Sequence, residues 1–221
     1  LINSWHASQG ESPNTYLSTI FTKLTINDAV PSNRYTEPRF QYDSIPHNLT
    51  DCVLSGYFQS HKYFEHNRGV ILDSFCFDHV SHDDLALDQL CSLHVRRGDY
   101  LKMNEALSLN YFEEAIKKSQ SSIDQFNFDI YTDDKDWILE NDIFKHASNI
   151  FTGNDSIEST LESFGKLFSY QNYIISNSTF SIIPAILSVG PEGKIFAPDP
   201  WFRNNNRDLG YPEKWIRIKN L

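Results

Sequence analysis

Leu93-His94-Val95-Arg96-Arg97-Gly98-Asp99-Tyr100 is the stretch from which the rest of the chain is read. It leaves an apolar segment, Leu90 to Val95, that has the length and character of a short buried strand. Two adjacent arginines close that strand. Like charges side by side are costly unless an anion lies between them, and guanidinium forks match phosphate oxygens in a bidentate way. Gly98 permits a sharp turn and close backbone approach. Asp99 can hold one arginine in position, and His94 can orient the other. Neighbouring side chains of an extended strand point to opposite faces, so Arg96 shares a face with His94, and Arg97 with Val95 and Asp99. That alternation makes Arg97 the structural partner of Asp99 and turns Arg96 to the cleft, with either arginine open as the direct ligand. The functional reading is an anion site for a nucleotide diphosphate. The alternatives are a surface turn with a local Arg–Asp pair, or an adhesion loop displaying Arg97-Gly98-Asp99.

Downstream of this stretch the rhythm is regular. Tyr111, Phe112, Ala115 and Ile116 fall on one face of a helix over Tyr111–Ser119. Alternation marks Phe126–Tyr131 as a strand. A helix follows over Asp134–Phe144, then a short strand, Asn149–Phe151. Ile157, Leu161, Phe164, Leu167 and Phe168 make a third helix, Tyr173–Ser176 a strand, Phe180–Val189 a fourth helix and Lys194–Ala197 a last strand. Strand–helix alternation at this spacing predicts a parallel, doubly wound sheet. Ligands of such sheets bind beyond the carboxyl ends of the strands.

Two more polar clusters fall at strand ends. Thr132-Asp133-Asp134 follows Phe126–Tyr131. A carboxylate there can accept two hydrogen bonds from guanine, or cap the next helix; Asp134 is read as the cap and Asp133 as the ligand. Ser176-Asn177-Ser178-Thr179-Phe180-Ser181 lies between a strand and a helix, where hydroxyls and backbone N–H groups make either an anion site or a plain cap.

Upstream, residues 1–15 read as loop, Tyr16–Leu24 has apolar residues at helical spacing, Pro31–Pro46 is irregular and extended and Asp51–Tyr57 reads as a strand. Phe64 to Gln89 reads as helix followed by linker. The 221 residues suit one large domain or two small ones, and 40% hydrophobic with 22% charged residues is ordinary for a globular protein. A net charge of −10 argues against nucleic acid as a partner, so any anion site must be local. Cys52, Cys76 and Cys91 are an odd number without metal-ligand spacing, which fits a reducing, cytoplasmic compartment. No apolar run reaches transmembrane length and no secretory signal is visible.

His94-Val95-Arg96-Arg97-Gly98-Asp99-Tyr100 resembles the first motif of the α-1,2-fucosyltransferases, glycosyltransferase family eleven, within a wider clan marked by His-x-Arg-Arg. Gly56-Tyr57-Phe58-Gln59-Ser60-His61-Lys62-Tyr63-Phe64 is similar to a Gly-Tyr-Phe-Gln-Ser-x-Lys-Tyr-Phe stretch of the same family. Tyr131-Thr132-Asp133-Asp134-Lys135-Asp136-Trp137 and Asn177-Ser178-Thr179-Phe180-Ser181 follow in the family's order. Ala197-Pro198-Asp199-Pro200-Trp201-Phe202 and Pro212-Glu213-Lys214-Trp215 resemble its C-terminal end. The family continues Phe-Ser with Trp-Trp-Ala, where this chain has Ile182-Ile183-Pro184-Ala185; Pro184 is expected near the first helical turn. The family's opening Gly-Gly-Leu-Gly-Asn-Gln segment is absent, and the chain starts at Leu1, so a missing N-terminal segment is expected.

The resemblance implies an α/β, GT-B-like architecture. Residues 1–89 would be a partial N-terminal, acceptor-side half, and residues 90–221 a Rossmann-like donor domain with a doubly wound parallel sheet. The implied reaction is inverting transfer of L-fucose from GDP-β-L-fucose to a sugar hydroxyl of a glycan, galactose-terminated, in α-1,2 linkage. Donor binding falls to His94, Arg96, Arg97, Thr132, Asp133, Asp134, Asn177, Ser178, Thr179 and Phe180. Catalysis falls to Arg96, Arg97 and Asp99, and the acceptor side to Tyr57, Gln59 and Ser60. Asp99 and Glu105 are both open as the base. No metal is expected, because the arginines would neutralise the departing pyrophosphate. Association with a membrane would be peripheral at most. The runner-up reading is a weak or inactive GDP-sugar-binding homologue.

Overall fold

A computed structural model of the chain describes residues 16–24, 30–77, 90–153, 156–203 and 209–220. They fall into two compact units, one within residues 1–78 and one within 79–221.

In the first unit, β1 (Asn33–Thr36) and β2 (Cys52–Ser55) pair in parallel, Asn33 opposite Cys52. The sequence reading placed irregular, extended chain at β1 without marking a strand, because its Asn-Arg-Tyr-Thr carries almost no apolar signal. The turn after β2 is built on Glu37, whose Oε2 accepts the N–H groups of Tyr57 at 2.9 Å and Phe58 at 3.1 Å. Gly56 is required there, because a Cβ would collide with the Glu37 side chain. Two short 3-10 turns, His61–Tyr63 and Glu65–Asn67, lead into α1 (Arg68–Ser74). The expected helix over Tyr16–Leu24 is helical at Tyr16 and Leu17 and continues as turns, with Phe21 packed on Phe75 at 5.1 Å between ring centroids. The expected linker before Leu90 lies outside the described residues.

The second unit contains a six-stranded sheet: β3 (Leu90–Val95), β4 (Asn127–Thr132), β5 (Ile150–Thr152), β6 (Asn172–Ile174), β7 (Ile195–Asp199) and β8 (Ile216–Lys219). The spatial order is β5-β4-β3-β6-β7-β8 and every pairing is parallel. Counted from β3, this is the 3-2-1-4-5-6 order of a Rossmann-like sheet, with its switch point between β3 and β6. The expected doubly wound α/β sheet is therefore present. It gains β8, which the sequence reading did not mark.

One face of β3 presents Cys91, Leu93 and Val95 to the core, packed with Tyr111, Phe112, Ala115 and Ile116 of α3 (Leu109–Ser122). Those four residues recur at helical spacing, and Ser108 caps the helix by accepting the Tyr111 N–H at 3.3 Å. The Tyr111 hydroxyl donates to the Ile175 carbonyl at 2.6 Å, where β6 ends. The other face of β3 carries Ser92 and His94, also buried. It lies under α5 (Ile157–Leu167) and α6 (Thr179–Ser188), whose Phe164 and Phe180 rings pack at 5.4 Å. The expected helix over Asp134–Phe144 breaks at Asn141 into α4 (Lys135–Glu140) and a 3-10 turn, Asp142–Phe144. Pro184 sits inside α6, beyond the first turn where it was expected, so the Phe180 carbonyl has no backbone N–H to receive.

Candidate active site

Three turns leave the carboxyl ends of neighbouring strands β4, β3 and β6. Register puts Val95 beside Thr132, so the Arg96-Arg97 turn and the Asp133-Asp134 turn start level. Arg96 Nη1 reaches Asp133 Oδ2 at 2.8 Å, and its Nη2 reaches Asp99 Oδ1 at 2.7 Å. This corrects the expected Arg97–Asp99 pair. Strand alternation stops at Val95; Gly98–Lys102 is a short helix, here α2, which brings Asp99 to the i+3 position of Arg96.

Arg97 is held elsewhere. Its Nε donates to Asp134 Oδ2 at 3.0 Å and its guanidinium lies 4.0 Å from the centroid of the Trp137 ring. The Arg97 side chain is 16% exposed against 36% for Arg96. Asp134 caps α4 as expected, accepting the Trp137 N–H at 3.1 Å. Thr132 Oγ1 accepts the Asp134 N–H at 3.0 Å and fixes the turn. Asp133 Oδ1 accepts the Arg97 N–H at 2.8 Å. Both Asp133 oxygens thus organise the arginine turn; any contact with a base would use their remaining lone pairs. Gly98 is needed for this packing, since a Cβ there would stand 2.8 Å from Asp133 Oδ2.

At the switch point His94 Nδ1 and Ser181 Oγ are 2.9 Å apart, and the imidazole packs on Phe180 at 5.2 Å. His94 therefore orients α6 rather than an arginine, which corrects that expectation. Burial, reinforced by the Arg96 charge, pushes His94 down to about 3, so the ring is neutral. Ser176 Oγ donates to the His94 carbonyl at 2.6 Å and accepts the Arg96 N–H at 3.2 Å. Ser178 caps α6, accepting the Phe180 N–H at 3.3 Å, and Thr179 is exposed beside it. Asn177 is fully buried. Its Nδ2 donates to the Glu105 carbonyl at 2.9 Å, its backbone carbonyl accepts from the Tyr100 hydroxyl at 3.0 Å, and its Oδ1 has no hydrogen-bond partner among the described residues.

Glu105 is 7% exposed, and its Oε2 accepts the Arg203 N–H at 2.9 Å. It fastens the loop after β7. Asp99, with a side chain 53% exposed, is the accessible one of the two carboxylates considered as base. Tyr100, Ser176, Ser181 and Trp137 support the site without having been singled out individually, although each lies inside a quoted motif. Arg203 lacked any such signal. Tyr57, Gln59 and Ser60 lie in the first unit: Tyr57 is exposed, and the Gln59 Oε1 and Ser60 Oγ atoms are buried without a hydrogen-bond partner among the described residues. Among the described residues no three His, Cys, Asp or Glu side chains gather as a metal site, and no helix is long and apolar enough to cross a membrane.

A family model described as Glycosyl transferase family 11 matches residues 17–219. The chain is 29% identical over 183 residues to an alpha-1,2-colitosyltransferase of Escherichia coli, with 74% of this chain and 61% of the relative covered. It is 27% identical over 187 residues to the O-antigen biosynthesis glycosyltransferase WbnK of Escherichia coli, with 76% of this chain and 60% of the relative covered. The chain thus spans about three fifths of the length of these curated relatives. No solved structure matches it. With the arginine turn, the Asp-Asp turn and the Asn-Ser-Thr-Phe-Ser turn meeting on a Rossmann-like sheet inside the matched region, the chain belongs to glycosyl transferase family 11.

Proposed function

We propose that the chain carries the donor site of an inverting α-1,2-fucosyltransferase, with GDP-β-L-fucose as donor and a galactose-terminated glycan as acceptor. The observation that carries this reading is Arg96, held between Asp99 and Asp133 at the carboxyl end of the central strand, beside the sheet's switch point. A guanidinium in that place can take the pyrophosphate, and a positioned cation matters most as charge grows on the leaving group. Arg97 acts one step back, fixing the turn through Asp134 and Trp137. Asp133 presents Arg96 and is the residue proposed to face guanine; Ser178, Thr179 and Phe180 border the same end of the sheet. In the transfer, the acceptor oxygen attacks the anomeric carbon opposite the GDP. The bond to the pyrophosphate oxygen breaks with its electron pair leaving on GDP, and the acceptor proton passes to a carboxylate. Asp99 is that carboxylate in this proposal. The first unit, with Tyr57, Gln59 and Ser60, contributes the acceptor side of a GT-B-like pair of halves.

A second reading, transfer of a colitosyl group, draws on the name of one relative. The two readings are separated by offering the full-length protein GDP-fucose and GDP-colitose with a β-galactoside acceptor. Turnover of GDP-fucose with an α-1,2-linked product is expected. GDP binding without turnover of either donor would leave a sugar-nucleotide-binding homologue, a reading favoured by Ile182 and Ile183 standing where the family has tryptophans. Asp133→Ala should weaken pyrophosphate, by loosening Arg96, and weaken GDP further by about 1.5–3 kcal/mol. Equal losses would confine Asp133 to holding Arg96.

A further inference from the structure

Arg96 is neutralised twice over in this structure. Asp133 Oδ2 takes Nη1 at 2.8 Å and Asp99 Oδ1 takes Nη2 at 2.7 Å. A guanidinium has five N–H donors, but a phosphate that takes Arg96 in a bidentate way competes with these carboxylates for its charge and its Nη groups. With two arginines set against Asp99, Asp133 and Asp134, the turn carries more negative than positive charge. An anion site of that composition binds more tightly if one carboxylate gives way.

The two carboxylates beside Arg96 are not equivalent. Asp133 is 11% exposed and its second oxygen holds the Arg97 backbone, so moving it would undo the turn. The Asp99 side chain is half exposed, stands in the first turn of a short helix and has Arg96 as its ion-pair partner. Exposed pairs of this kind are worth little, and a multiply charged diphosphate outbids a single carboxylate for a guanidinium fork. The Tyr100 ring, 5.8 Å from the guanidinium, and Asp133 keep Arg96 in place when Asp99 leaves.

We infer that Asp99 is a built-in competitor for the donor phosphates: it pairs with Arg96 and is released when a diphosphate takes its place. The inference rests on the donor-site reading above. It adds that the carboxylate proposed as base is freed only in a loaded site, so proton acceptance is tied to donor occupancy.

The test is calorimetric titration of GDP, inorganic pyrophosphate and guanosine into the parent, Asp99→Asn and Asp99→Glu at low salt. Asp99→Asn should bind GDP and pyrophosphate about fivefold more tightly than the parent, the scale of one exposed ion pair. High salt should shrink that gain. Guanosine should bind all three alike, and Asp99→Glu should behave as the parent. A merely structural Asp99 gives the opposite sign, weaker GDP binding in Asp99→Asn. If Asp99→Asn melts well below the parent, Asp99→Ser serves as the second neutral variant. A parent that binds GDP while both neutral variants bind it equally or more weakly overturns the inference alone. A parent that binds neither GDP nor pyrophosphate overturns the donor-site reading, and the inference with it.

Discussion

Gly98 and Asp133 fit together closely: a Cβ on residue 98 would stand 2.8 Å from Asp133 Oδ2, the oxygen that holds Arg96. Gly98→Ala must therefore displace either α2 or the carboxylate. We expect a melting temperature lower by several degrees, as a loss of 1–2 kcal/mol gives in a domain of this size, together with weaker GDP binding. Parent-like stability and affinity together would show that the turn yields easily and that Asp133 does not position Arg96.

The two arginines should respond differently to lysine. Arg96→Lys keeps the charge but loses the fork, so GDP affinity and transfer should fall sharply with little change in melting temperature. Arg97→Lys loses the Asp134 contact and the stacking on Trp137. It should lower the melting temperature, with a smaller effect on GDP once folded. Thermal melts and GDP titrations of both variants check this. If both bind GDP like the parent, the arginine turn is not a pyrophosphate site.

His94 predicts a pH dependence. It is buried and neutral, with its folded value pushed down to about 3 from an ordinary 6.5. Between those values the unfolded chain takes up a proton that the folded chain refuses. Stability is thus undiminished above about pH 6.5 and falls as the pH drops below it, by at most about 1.4 kcal/mol per pH unit from this group. His94→Gln, which does not titrate, should show a shallower acid-side decline in denaturant melts between pH 4 and 7. An unchanged slope would mean that His94 is not the group responsible.

Transfer should survive chelation. The guanidinium of Arg96 is proposed to do what a divalent cation does in other nucleotide-sugar sites. Rates measured in EDTA should match those without it. Loss in EDTA with recovery on adding Mn²⁺ or Mg²⁺ would require a metal in the transfer step.

What the sequence disclosed follows from where its physics is local. Leu90–Val95 is buried on both sides, so it reads as an apolar run, and the downstream strand–helix alternation carries the parallel sheet with it. β8 is short and follows a motif rich in aromatic residues and proline, and β1 has few apolar side chains; neither announces itself by period. The Asp134 cap was legible because capping acts over three residues. The partner of Asp99 was misassigned because period-two alternation holds only for extended backbone, and Arg97, at φ −128° and ψ −53°, has already left it. The His94–Ser181 bond joins residues 87 apart in the chain, and only the folded switch point brings them together.

The position of β3 has a consequence for synthesis. This strand is the first of its sheet to be made, yet its neighbour on one side is β6, with Leu93 paired to Ile174. A nascent chain that has emerged as far as residue 153 can align β3, β4 and β5, and can bring Arg96 to Asp133. Ser176, which receives the Arg96 N–H, and Ser181, which meets His94, are still unmade. Until they arrive, one long edge of β3 stands unpaired, which is the kind of edge that invites association with other chains. The arrangement that places the arginine turn at the centre of the sheet thus leaves it incomplete until the start of α6 has been made.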